Sequence, residues 1–490
     1  MEKTNVHWTY WLHLAVGAFF MFVFPKLGPF EPLTEVGMTI IGVFIGMVYL
    51  WSALDSIWPS LLGLFLVSIA GYVPGLSGYA AVKQVFLESF GNETVLVCIL
   101  GMILFAAVEY VGCTKYIARF FMSIKLLEGR PYIFLYIFFV CSYFIAGLTN
   151  PMAAMLILWP IAQEVCLGFG YKKGDRVFAL MICGVYLAST LGQPMLPFKG
   201  ASYAILGAYM KMSGVVLNFG AYILYTIVMS LMMLALFVVY VRFVLRPDVE
   251  GFKTITVAEL TKEKLEPMNA QQKTFLLMLV AYVVLLLLPN FLPKTIPFVA
   301  FLNNIGILGL TSIFIVVLMI IPYQGKPMLD FKGVAKKSFS WDIMFLVAAA
   351  MYICTAMTND ATGVKAFLIQ LLSPLLAGKP DIIFVALILL FAITTTNFAN
   401  NGGMALVLLP VILSFSDMYP GVNMTALAVS VCLIVFAALL TPAASPYCAM
   451  LHARKDLVSY SEILTFFVPM FFIAVISYVL VGINIANVLF

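Results

Sequence analysis

Apolar runs follow one another through nearly all of this chain, and they are interrupted by polar residues at two matched places. Residues 144–163 read FIAGLTNPMAAMLILWPIAQ, and residues 394–413 read TTTNFANNGGMALVLLPVIL. Each stretch sets Asn and Thr beside helix-breaking residues, then runs apolar to a proline. Asn150 and Asn400 each stand ten residues before that proline, Pro160 and Pro410. A helix needs about 20 apolar residues to cross a hydrocarbon core, and many windows here exceed that. Charged residues are 10% of the 490 and hydrophobic ones 63%, whereas a soluble domain is about 25% charged. The fold class is therefore an all-α polytopic membrane protein. A membrane barrel alternates polar and apolar positions in segments of about ten residues, and that pattern is missing. Matched polar breaks in the two halves of such a chain point to a transporter's binding site.

Other functions are excluded by what the chain lacks. Its net charge of +5 gathers in no polar domain that could grip a duplex, so no nucleic acid is expected. The eight cysteines (Cys98, Cys113, Cys141, Cys166, Cys183, Cys354, Cys432, Cys448) are scattered singly through apolar stretches. With no CxxC pair, neither a metal site nor a disulfide is expected. No P-loop, DDxxD, HExxH or GxGD occurs, which argues against a nucleotide-driven pump, a prenyl transferase or an intramembrane protease. The chain is expected to be no enzyme and to hold no organic cofactor. Its first apolar run lacks a small-residue cleavage site and is read as a membrane helix, not a removed signal.

The spans read as near 8–25, 35–54 and 57–75, a broken stretch at 93–146, and helices over 177–212 and 217–247. The second half repeats this with 273–291, 299–322, a broken stretch at 341–396, then 424–450 and 460–488. That makes about eleven transmembrane helices plus two re-entrant hairpins, near 147–168 and 397–416. The hydrophilic segment 248–272 is a cytoplasmic linker between repeats at 1–247 and 273–490. Glu109–Gly112 (EYVG) matches Asp360–Gly363 (DATG). Each hairpin is followed by a second proline-rich break: LGQPMLPFKGAS with Pro194 and Pro197, and LLTPAASPYCAM with Pro442 and Pro446. Prolines that merely kink ordinary membrane helices are the plain alternative, but four breaks matched in pairs are hard to obtain that way. Basic clusters at 115–130, 172–176, 242–273, 326–337 and 453–455 all fall inside if the span count is odd and the N-terminus cytoplasmic. The repeat is then of inverted topology.

A helix broken within the membrane exposes N–H groups at one new end and C=O groups at the other. Lipid satisfies neither, so they persist only where they face protein, water or a ligand. The N-terminal ends suit anions. Free carbonyls and the oxygens of Asn and Thr suit sodium. Asn150, Asn400 and Asn401 offer amides, and Thr149, Thr395, Thr396 and Thr441 offer hydroxyls. Gly192, Gly402 and Gly403 let a backbone approach closely.

These marks resemble the divalent anion/sodium symporters of the ion-transporter superfamily, in arrangement over nearly the whole chain. That family carries Ser-Asn-Thr at each hairpin tip and then an apolar run to a proline. The matching positions here are Thr149-Asn150-Pro151 and Asn400-Asn401-Gly402. Thr441-Pro442 matches its unwound Thr-Pro, and the WDIMF run from Trp341 its Trp-led segment before the second hairpin. Neither tip keeps Ser-Asn-Thr intact, Pro151 removes a backbone donor, and Met195-Leu196-Pro197 lacks the threonine. The resemblance implies an elevator-type transporter with scaffold and transport domains, usually a homodimer. It implies di- or tricarboxylates such as succinate, malate or citrate as substrate, and often sodium as coupling ion. A bacterial plasma membrane is the expected location. Asn150, Pro151, Asn400, Asn401, Gly402, Thr441, Pro442 and Lys199 are the candidate substrate contacts. Thr149, Asn150, Gly192, Thr396, Asn397 and Asn401 are the candidate sodium ligands.

Lys199 stands two residues after Pro197 in an apolar segment, where insertion of a lysine costs roughly 2.5–3.5 kcal/mol. It could neutralise a substrate carboxylate or replace a sodium, which would favour sodium-independent exchange or proton coupling. Alternatively it snorkels to water. Cys448 is its counterpart, so the feature is asymmetric. Glu109 and Asp360 are read as helix-ending residues or hydrogen-bond acceptors for the neighbouring breaks, and otherwise as a proton path. His7, His13 and His452 are read as solvated. A sodium/proton antiporter or oxyanion extruder of the same superfamily stays open, although no Asp or Glu lies in 144–163 or 394–413.

Overall fold

A computed structural model of the chain describes residues 8–260, 265–293, 295–398, 401–442 and 444–490, so His7 and Asn400 lie outside the described residues. Most apolar runs are helices, as a backbone away from water requires. Among the described residues, ten helices are long and apolar enough to cross a membrane, or eleven if Val364–Leu376 and Asp381–Thr396, bent by 108°, count as one span. The protein is thus a multi-pass integral membrane protein. Several helix starts are capped by the residues that favour that role. Asn269 and Ser459 form full capping boxes with Gln272 and Glu462. Thr34, Asn218, Ser340, Asn423 and Ser445 cap with their side chains alone.

The boundaries differ from the sequence expectation where glycines bend the chain. The span read as 57–75 stops at Ile69, because Gly71 and Gly75 take φ of +77° and +73°. A separate helix, Gly78–Phe90, follows. The broken stretch at 93–146 resolves into Glu93–Tyr110, Thr114–Met122 and Pro131–Leu148, separated at Gly112 and Gly129. Helix Pro297–Ile320 is kinked at Gly306 (φ +58°). A two-residue turn, Gln324-Gly325, with both φ positive, closes a small β-ribbon between Pro322–Tyr323 and Lys326–Pro327.

The chain divides into two compact units, neither of them contiguous. One comprises Met1–Cys98, Tyr203–Leu217 and Ser340–Val435; we call it the Asn401 unit. The other comprises Ile99–Ser202, Asn218–Phe339 and Phe436–Phe490; we call it the Asn150 unit. In the Asn401 unit, helix Trp341–Thr358 packs on Glu35–Ala53, Ile57–Ile69 and Asn401–Ser414. In the Asn150 unit, helix Arg176–Gly192 is buried along almost its whole length. It packs on Pro131–Leu148, Pro151–Gly168 and Tyr460–Ser477. Each unit holds one helical hairpin and the helix that follows it. The helices interrupted at 193–199 and 435–445 change unit near their breaks, at Ser202/Tyr203 and Val435/Phe436.

Candidate functional site

The hairpin of the Asn150 unit turns within two residues. Helix Pro131–Leu148 ends at Thr149 (φ −127°, ψ −100°), and Asn150 (φ −154°, ψ 160°) starts helix Pro151–Gly168. Asn150 Oδ1 accepts from the Ala153 N–H at 2.9 Å, and Asn150 Nδ2 donates to the Glu109 carboxylate. One amide side chain thus caps a helix and binds a half-buried acid. Pro151 sits at the first helical position, where its missing N–H leaves nothing unpaired. The buried Thr149 hydroxyl donates back to the Ile145 carbonyl at 2.6 Å.

Lys199 reaches the other side of this turn. Its Nζ donates to the carbonyls of Ala146 at 2.9 Å and Gly147 at 3.1 Å, in the last turn of helix Pro131–Leu148. Those carbonyls have no partner within the helix, and a helix C-terminus carries about half a negative charge. Two glycines make the approach possible. A Cβ on Gly147 would lie 2.5 Å from the Met195 methyl, and one on Gly192 would lie 2.4 Å from the Tyr143 carbonyl oxygen. Gly192, a candidate sodium ligand by sequence, is thus also where Arg176–Gly192 meets Pro131–Leu148.

Gln193 opens the interrupted segment that follows. Among the described residues, its buried Oε1 and the Oγ of Ser202 have no hydrogen-bond partner. The sequence reading passed over both, although each is polar within a break already marked by its prolines.

The hairpin of the Asn401 unit is built differently. Helix Asp381–Thr396 ends at Asn397, whose Nδ2 donates to the Ile393 carbonyl at 2.6 Å. Thr396 Oγ1 lies 2.8 Å from Asn401 Oδ1 and 2.8 Å from the Val435 carbonyl oxygen. A hydroxyl has one proton to give, so it serves one of these acceptors at a time. Thr396, Asn397 and Asn401 are all buried, as are Gly402 and Gly403 at the start of helix Asn401–Ser414. Val435 begins the unwound stretch after helix Met424–Ile434, so hairpin and break meet within one unit. Thr441, half-buried, and Pro442, exposed, belong to the Asn150 unit.

The described residues contain no group of three His, Cys, Asp or Glu that could hold a metal ion. The eight cysteines are buried and joined in no disulfide. What the two hairpins offer is therefore oxygen, amide and helix-end chemistry, together with one lysine and one carboxylate in the Asn150 unit.

Residues 4–490 match the family model described as the sodium:sulfate symporter transmembrane region. No curated protein matches the chain. Among solved structures, the Alcanivorax borkumensis YdaH transporter, described as having an unusual topology, aligns with a TM-score of 0.55 at 14% identity. The alignment covers 83% of this chain and 89% of that one, and the likeness is one of fold.

Proposed function

The chain belongs to the sodium:sulfate symporter family, within the divalent anion/sodium symporters, and is a secondary transporter rather than an enzyme; from that premise we propose that it carries small organic anions of the di- or tricarboxylate type, driven by sodium. The observation that carries the sodium part is the buried oxygen group of Thr396 Oγ1, Asn401 Oδ1 and the Val435 carbonyl. Three oxygens share one proton there, and a small hard cation would satisfy all of them. Such an ion would tie the hairpin tip to the unwound end of the next helix, so that binding orders both. Asn397 flanks this site, Asn400 adjoins Asn401 in the sequence, and Thr149, Asn150 and Gly192 are the corresponding candidates in the other unit. The helix starts at Pro151 and Gly402 are the proposed anion-facing ends of their respective units. Thr441, Pro442 and Lys199 are further proposed contacts.

Alternating access of the elevator type, an inverted repeat and a homodimer complete the proposal. So does a bacterial plasma membrane with the N-terminus in the cytoplasm, the side to which the basic loops assign it.

A second reading is sodium-independent exchange or proton coupling. Lys199 on the Ala146 and Gly147 carbonyls favours it, since a fixed cation is already in place there.

Proteoliposomes test both readings. Uptake of radiolabelled succinate, malate and citrate, with sulfate alongside, is expected to accumulate under an inward sodium gradient and to fall to background in choline. Uptake indifferent to sodium but dependent on internal anion would replace symport with exchange. Transport of none of the organic acids would overturn the substrate class.

A further inference from the structure

Within the sodium-coupled reading, on which this inference rests, the two hairpins are not chemically equivalent. In the Asn401 unit the last-turn carbonyl of Ile393 is met by a neutral amide, that of Asn397. In the Asn150 unit the last-turn carbonyls of Ala146 and Gly147 are met by an ammonium. A second fixed charge accompanies it, because Asn150, three residues beyond Gly147, binds the Glu109 carboxylate. The lysine head is half-buried. It ends on backbone oxygens at the negative end of a helix dipole, where a cation is stabilised.

We infer that Lys199 is a built-in cation for the first hairpin: its ammonium occupies the carbonyl pair that a free monovalent cation would otherwise take, with Glu109 as the fixed counter-charge held through Asn150. The first hairpin is then ordered without an exchangeable ion. On this inference Thr149, Asn150 and Gly192 hold no exchangeable sodium beside Lys199, and the number of sodium ions bound per protomer is set by the Asn401 unit alone. No bond is made or broken in this scheme and no proton moves; only the identity of the cation on two carbonyls changes.

Removing the lysine head should open the position to solvent cations. In purified full-length protein, equilibrium binding of radioactive sodium is compared between wild type, Lys199→Ala and Lys199→Ser. Both variants are expected to bind about one more sodium per protomer than wild type, and sodium should raise their melting temperature more than choline does. Lys199→Arg, which keeps a cationic donor, should match wild type. An unchanged sodium count in the Ala and Ser variants overturns the inference. So does a variant that unfolds in sodium as readily as in choline. A wild type that binds no sodium would instead count against the coupling reading, and the difference between wild type and variants would still decide the role of Lys199.

Discussion

Asn150 performs two tasks with one side chain, and they can be separated by substitution. Asn150→Ala removes the cap on Ala153, at a typical cost of about 1 kcal/mol, and leaves Glu109 without the amide that meets it. Folded protein should survive while anion uptake is lost, checked by gel filtration beside proteoliposome transport. Asn150→Asp keeps an acceptor for Ala153 but sets a second carboxylate against Glu109. Like charges this close disfavour the doubly ionised state, so one carboxyl holds its proton more tightly. Uptake by Asn150→Asp should therefore be poor at alkaline pH and recover as pH falls, whereas wild type should not show that recovery. A flat profile for the variant would contradict the Asn150–Glu109 contact. Asn150 was legible as a break residue from its spacing to Pro160. Its bond to Glu109 was not, because no local pattern links residues 41 positions apart. The sequence marked Glu109 as a helix-ending residue or an acceptor for a neighbouring break, and otherwise as part of a proton path, without pointing to Asn150.

At the scale of helices, the close approaches are held by residues with little or no side chain. Gly192→Ala would drive a Cβ to 2.4 Å from the Tyr143 carbonyl. Backbone cannot move aside as a side chain does, and overpacking of this kind costs about 1–3 kcal/mol. The detergent-solubilised variant should melt several degrees lower, and a wild-type melting temperature would mean that the two helices can separate at little cost. Thr396 links elements in the other unit. Thr396→Val keeps the shape but removes the oxygen that stands between Asn401 and Val435. Half-maximal sodium activation should rise about tenfold or more, equivalent to roughly 1.4 kcal/mol, and Thr396→Ser should restore most of it. An unaltered sodium dependence in Thr396→Val would remove the proposed ion site.

Most helices were readable, since lipid leaves a spanning apolar backbone few alternatives. Some ends were less readable. Gly71 and Gly75 shorten one span, and the amphipathic helix Gly78–Phe90 buries only a stripe of small residues that includes Ala81, Val85 and Ser89. Its polar face hid it from a search for long apolar runs. The Asn397–Ile393 contact, by contrast, is local and follows from where the helix stops.

For the molecule as a whole, the prediction concerns coupling. With choline in place of sodium, initial uptake should drop by at least about tenfold, and the sodium dependence should be shallower than in a transporter with two exchangeable ions, because one cation is covalently part of the chain. Steep sodium cooperativity in wild type would contradict that picture. The family could be read from the tip residues and the Thr441-Pro442 pair. The composition of the two units could not, because it depends on which segments pack together and not on their order in the chain.

That composition has a consequence for how the protein is made. All segments of the Asn401 unit have been synthesised once residue 435 is reached. The Asn150 unit, begun far earlier at residue 99, still awaits Phe436–Phe490, which supplies helix Tyr460–Ser477 to pack on Arg176–Gly192. The earlier hairpin therefore belongs to the unit that is finished last. During translation Arg176–Gly192 must wait in the bilayer or the insertion machinery with one flank unfilled. A ribosome stalled once Val435 has cleared the exit tunnel, with the residues that follow still inside it, should hold a nascent chain whose Asn401 unit resists protease while its Asn150 unit is still cut.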